Sequence, residues 1–139
     1  MGVCYSQEPL TKYTKDNTSF FEIKGIHIAK VVDVYDGDTI TVVLLIHKTP
    51  YKFKCRLNGI DTPEIRTKNL EEKEMGLKAK KFLSDNILNH IVSLKCDGWD
   101  KYGRLLITIF YNKQNINQMM IDNKFAYKYD GGTKQKFEK

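Results

Sequence analysis

Six side chains in three short stretches carry groups that could act together on an anionic substrate. Asp36 and Asp38 flank Gly37, Asp61 and Glu64 bracket Thr62 and Pro63, Arg56 lies five residues before Asp61, and Arg104 follows Asp-Lys-Tyr-Gly. A phosphodiester is an anion that repels a hydroxide nucleophile. A hard divalent cation offsets that charge and makes a bound water a better nucleophile. Calcium or magnesium is held for this through carboxylate and carbonyl oxygens. A nearby carboxylate can take the water's proton, and arginines can grip the non-bridging oxygens as charge builds on them. On this reading the arginine and the acids of "RLNGIDTPE" (Arg56 to Glu64) stand together because they bind opposite partners. The acids face a cation and the arginine faces phosphate. Asp36 fits a turn-shaping role better than a ligand's.

The basic residues support this division of labour. Of the 23, only Arg56, Arg66 and Arg104 are arginine, and the other 20 are lysine. A planar guanidinium binds phosphate or carboxylate in two places and keeps its charge when buried, which lysine does not match. Arg66 reads as a surface residue, and Lys52 and Lys54 as a solvated strand face.

Elements must bring these groups together. Ile26, Ile28 and the run from Val31 predict a first strand, ended by the Asp36–Asp38 turn, in which Gly37 is free to take a positive φ. Thr39 to Ile46 is β-branched and apolar, a second strand; "HKTP" turns the chain again. In the third strand Tyr51, Phe53, Cys55 and Leu57 alternate with Lys52, Lys54 and Arg56, so Arg56 lies on the basic face. A helix follows, with Asn69 as N-cap, Glu72 as its capping-box partner, and Met75, Ala79, Phe82 and Leu83 as the buried stripe. "HIVSLKC" is a fourth strand, "DGWDKYG" a turn and "RLLITIFY" a fifth strand. A short helix capped by Asn115 and Gln118 comes next, with Ile116, Met119 and Met120 as its apolar face and Asn123 closing it in the left-handed region. This order predicts a mainly β fold with helices (α+β): a five-stranded OB-fold β-barrel with two or three packed helices. Residues 1–21 read as a flexible tail, 22–130 as the folded domain and 131–139 as a short polar tail.

At this point the chain resembles the staphylococcal nuclease (thermonuclease) family, whose pattern is an aspartate turn, then "R…DTPE", then "DKYGR". The resemblance runs over roughly residues 25–130. It implies that Asp38 and Asp61 bind one Ca2+ ion, with a backbone carbonyl from Thr62. It also implies that Arg56 and Arg104 act on the phosphate and that Glu64 is the general base. Lys101 and Tyr102 match phosphate contacts, and Tyr127 and Tyr129 match an aromatic pair at the nucleotide pocket. The implied reaction is calcium-dependent hydrolysis of DNA and RNA, preferentially single-stranded or unpaired, to 3′-phosphate and 5′-hydroxyl ends. The runner-up is a catalytically weak or inactive OB-fold module that binds single-stranded nucleic acid. One departure stands out. The family places a further helix after the tyrosine pair, whereas only ten residues follow Tyr129 here.

Composition narrows the alternatives. A net charge of +6 and a sequence pI of about 9.1 favour a polyanionic partner, either nucleic acid or an acidic membrane surface. The three cysteines, at 4, 55 and 96, lack metal-ligand spacing, and Cys55 and Cys96 read as buried apolar residues. The three histidines form no cluster, which argues against a zinc site or a Ser-His-Asp triad. The longest apolar run, Val42 to Ile46, is strand-sized. "MGVCYS" fits N-myristoylation at Gly2, with Cys4 as a second acylation site, and so predicts attachment to a cytoplasmic membrane face. With no apolar secretory segment at the start, the expectation is an intracellular monomer.

Overall fold

The structure, a computed structural model, describes residues 8–132. Gly2 and Cys4 therefore lie outside the described residues. Its elements in chain order are α1 (Glu8–Thr11), β1 (Lys24–Asp36), β2 (Thr39–Ile46), β3 (Thr49–Leu57), β4 (Ile60–Asp61), α2 (Leu70–Ile87), β5 (Ile91–Trp99), β6 (Leu105–Tyr111), β7 (Gln114–Asn115), α3 (Ile116–Asp122) and β8 (Tyr127–Lys128). The five long strands form a ring. Antiparallel neighbours run β3-β2-β1-β5-β6, and a parallel pairing of β3 with β6 closes it. That is the five-stranded OB barrel expected from the strand count and order.

Alternation along the strands builds the core. Val31, Ile40, Val42, Leu44, Cys55, Leu57, Leu94, Leu105, Ile107 and Ile109 are buried inside, while Lys52 and Lys54 are exposed. Both mid-chain cysteines are buried free thiols, with Cys55 fully enclosed. Helix α2 packs across β1.

Several local features differ from the sequence reading. The arm before β1 holds the four-residue α1 and a turn stitched by Thr14 and Asn17, in a stretch read as tail. Trp99 donates its ring N–H to the carbonyl of Phe21, 3.3 Å away, tying the arm to β5. The fourth strand extends through Asp97–Trp99, so the turn is confined to Asp100–Gly103. Gly37 lacks a positive φ, and the β1–β2 hairpin bulges between Val34 and Asp36 instead. Gly37 is there for space: a Cβ on it would meet Ala79 Cβ and Thr62 Cγ2, each at 2.9 Å. The left-handed residues fall elsewhere, at His47 and Lys48, where two positive φ values turn β2 into β3. They recur at Lys124, not Asn123, after α3. The buried stripe of α2 is Gly76, Ala79, Leu83 and Ile87; Met75 and Phe82 are only half-buried.

Candidate active site

The β1–β2 turn, the end of β3 and the segment after β4 meet at one mouth of the barrel. Leu57 N–H donates to Asp38 O at 2.8 Å and Asn58 N–H to Ile107 O at 2.8 Å. Asp38 is thus fastened to the end of β3 just where Arg56 projects. The Asp38 carboxylate accepts from the Thr62 N–H at 3.2 Å and the Thr39 hydroxyl at 3.2 Å. Asp36 Oδ1 accepts from the Asp38 N–H at 3.1 Å, the turn-shaping role expected for it. Burial, then the charge of Asp38, pushes the Asp36 carboxyl up to about 7.

Arg56 sits between the two acids. Its Nη1 lies 3.2 Å from Asp38 Oδ2 and its Nη2 lies 3.5 Å from Asp61 Oδ1, and Nη1 also donates to Leu57 O at 3.1 Å. All three side chains are largely enclosed, with Arg56 13%, Asp38 10% and Asp61 5% exposed. Two buried carboxylates this close require positive charge, and the guanidinium supplies part of it. The same demand tests the fit of a divalent cation. Asp38, Asp61 and the Thr62 carbonyl are oxygen donors only, the set a hard cation takes, with water and substrate oxygens completing the shell. Among the described residues no three His, Cys, Asp or Glu side chains gather as a metal-holding group.

Arg104 is organised by Asp100, a residue that sequence reasoning passed over. Asp100 Oδ2 accepts from Arg104 Nε at 2.7 Å, and its Oδ1 accepts from the N–H groups of Tyr102 at 2.8 Å and Arg104 at 2.9 Å. Burial would raise the Asp100 carboxyl, but these N–H donors and the guanidinium together hold it below the usual range. The signal was an acid four residues before an arginine across a tight turn. Lys101 Nζ and Arg104 Cζ lie over the Tyr102 ring, 5.1 Å and 5.3 Å from its centre.

A cleft of about 1160 Å³ opens beside Arg56 and Arg104. Lys101, Tyr102, Lys128 and Tyr129 also line it. The tyrosine pair is split: Tyr129 lines the cleft and donates its N–H to Gly59 O at 2.9 Å, while Tyr127 pairs with Asp61 across β4 and β8. Lys128, which sequence reasoning did not single out, enters the cleft between them. Asp38, Asp61, Thr62 and Glu64 are not in the cleft lining; Arg56 is the link between acids and cleft. Glu64 is exposed just past buried Pro63, and Arg66 stacks over the Tyr35 ring at 5.7 Å.

Fold and site together define an OB-barrel protein with paired acids and two arginines at one mouth. The sequence pattern described as "Staphylococcal nuclease homologue" matches residues 54–139, and the chain belongs to that family. It is 38% identical over 100 residues to an uncharacterized endonuclease of Haemophilus influenzae, covering 72% of this chain and 51% of that one. It is 31% identical over 99 residues to a thermonuclease of Staphylococcus hyicus, covering 70% and 56%. It is 27% identical over 141 residues to endonuclease Htp3 of Saprolegnia parasitica, covering 88% and 67%. The chain spans about half the length of most of the curated relatives it matches.

Proposed function

We propose that the protein is a calcium-dependent nuclease that hydrolyses DNA and RNA, preferentially unpaired strands, to 3′-phosphate and 5′-hydroxyl ends. The observation that carries this reading is the buried Asp38–Arg56–Asp61 group joined to a cleft that also presents Arg104. Nuclease names among the relatives support it.

Asp38, Asp61 and the Thr62 carbonyl would hold the ion, which when bound neutralises phosphate charge and activates a water. The protein's own groups do the rest. Arg104 engages Asp100 through Nε, so Nη1 and Nη2 are its groups for two phosphate oxygens. Arg56 contacts the same phosphate from the acid side. Glu64 takes a proton from the attacking water as the water oxygen bonds to phosphorus, the P–O5′ bond breaks, and the leaving O5′ takes a proton from solvent to become the 5′-hydroxyl while the phosphate stays on the 3′ oxygen. Lys101, Tyr102, Lys128 and Tyr129 seat the strand by charge and stacking.

The test is cleavage of single-stranded DNA by the purified protein in calcium, in magnesium and in chelator. Cleavage in calcium that chelator stops, leaving 3′-phosphate ends, is expected. A folded protein that binds the strand in calcium without cutting it would favour a non-catalytic OB-fold module. We further propose a monomer held at a cytoplasmic membrane face through Gly2 and Cys4, for which "MGVC" is the support. Mass spectrometry of the native N-terminus tests it, an unmodified Gly2 being the result against it.

A further inference from the structure

Glu72 occupies the third position of α2, from which a glutamate ordinarily reaches back to the N-cap N–H and completes a capping box. Here it does not. Asn69 caps the helix from its own side, accepting from the N–H groups of Glu71 at 3.0 Å and Glu72 at 3.1 Å. The Asn69 N–H donates instead to the Thr67 hydroxyl at 3.2 Å. Relieved of that contact, the Glu72 carboxylate turns to the loop before the helix. Its Oε1 accepts from the Glu64 N–H at 3.3 Å and its Oε2 from the Thr67 hydroxyl at 3.4 Å.

A second contact fixes the same segment from the next turn of the helix. A Cβ on Gly76 would lie 2.8 Å from Pro63 O and 3.2 Å from the Glu64 carbonyl carbon, so the loop backbone rests directly on the helix. Glu64 is exposed and follows a proline, with no strand to hold it. α2 contacts its backbone at two points, through one carboxylate and one glycine.

We propose that Glu72 is a positioning residue for Glu64. It holds the backbone of the general base in register with the Asp38–Arg56–Asp61 group and touches neither substrate nor metal. This rests on the reading of Glu64 as the base. The role requires an acceptor in place and not a negative charge, which separates it from an electrostatic effect. A loosened base costs rate more than binding, because a small misplacement of a reacting group can cost about a hundredfold in turnover.

The experiment compares E72A, E72Q, E64Q and the E64Q/E72A double variant, each checked for folding by circular dichroism and melting. Steady-state cleavage in calcium is followed alongside the Glu64 amide signal in 15N NMR spectra. E72A is expected to lower kcat about tenfold or more with KM within about twofold, and to shift the Glu64 amide signal. E72Q, which keeps the acceptor, is expected to restore most of the rate. In the E64Q background E72A should cost nothing further, since both act through one group. Wild-type kcat in E72A, a loss that appears in KM or melting alone, or an undiminished loss in the E64Q background would each overturn the proposal. Wild-type activity in E64Q would overturn the assignment of the base itself and the positioning role with it. That outcome is read from the E64Q arm alone and is not confused with the others.

Discussion

Asp36 is the residue at which burial and neighbouring charge act against ionisation, and its carboxyl titrates near 7 in place of 3.8. Between those values the folded protein holds a proton that the unfolded chain has released. Asp36 therefore costs stability as pH rises through that window, and the cost is complete above it. Asp36→Asn keeps an oxygen for the Asp38 N–H and removes the charge. It is expected to raise the melting temperature at pH 8 in chelator by roughly 3–6 °C and to leave it nearly unchanged at pH 4. Arg104 makes the opposite case, where charge must be kept and shape matters. Its Nε donates to Asp100, and on the proposed function its two terminal nitrogens would serve the substrate. A lysine ammonium cannot satisfy both. Arg104→Lys should lower kcat/KM on single-stranded DNA by about a hundredfold or more while the circular dichroism spectrum holds. That Asp38, Arg56 and Asp61 would meet was legible because each sits beside a turn signal or at a strand end. Asp100 was not, because an acid in a turn reads first as a turn former.

At the scale of elements, α2 does more than cover the barrel. Gly76 and Ala79 let the Pro63–Glu64 segment and the Gly37 turn approach the helix face. Alanine in a helix is better than glycine by about 1 kcal/mol. Gly76→Ala is nonetheless expected to destabilise the protein by about 1–2 kcal/mol, because the new methyl must displace a backbone carbonyl. Cleavage should fall with it, the displaced atoms being those of Pro63 and Glu64. Denaturant midpoints and kcat for the variant check both. The periodic strands, both N-caps and the turns were readable from pattern, since alternation and capping are local. The expected stripe on α2 shares Ala79 and Leu83 with the observed one but takes Met75 for Gly76, because a glycine does not register as apolar, yet here its lack of a side chain is what the packing uses. Glu72 was misread for a related reason: its spacing suits a capping box, and only the fold shows that Thr67 has taken that place.

The whole molecule depends on closing the barrel between β3 and β6, residues far apart in sequence whose pairing no local pattern announces. Buried Asn117 reinforces the end of that seam. Its Oδ1 accepts from the Ile109 N–H at 3.1 Å, and its Nδ2 donates to Asn58 O at 2.9 Å and Ile107 O at 3.0 Å. Asn117→Ala removes the side-chain partner of the Ile109 N–H and of Asn58 O, while Ile107 O keeps the Asn58 N–H. It is expected to cost about 2–4 kcal/mol in chemical denaturation, and to weaken cleavage as well because Asn58 leads into the cleft.

The same closure has a consequence in time. Asp38, Arg56, Asp61 and Glu64 are made early on the ribosome, whereas Arg104, the closing strand β6 and the Tyr127 partner of Asp61 come tens of residues later. A growing chain therefore carries its acids and first arginine long before it has a cleft. The mouth assembles only when the last strands have emerged, so a nascent or truncated chain ending before Tyr129 carries the acids and the first arginine without the cleft.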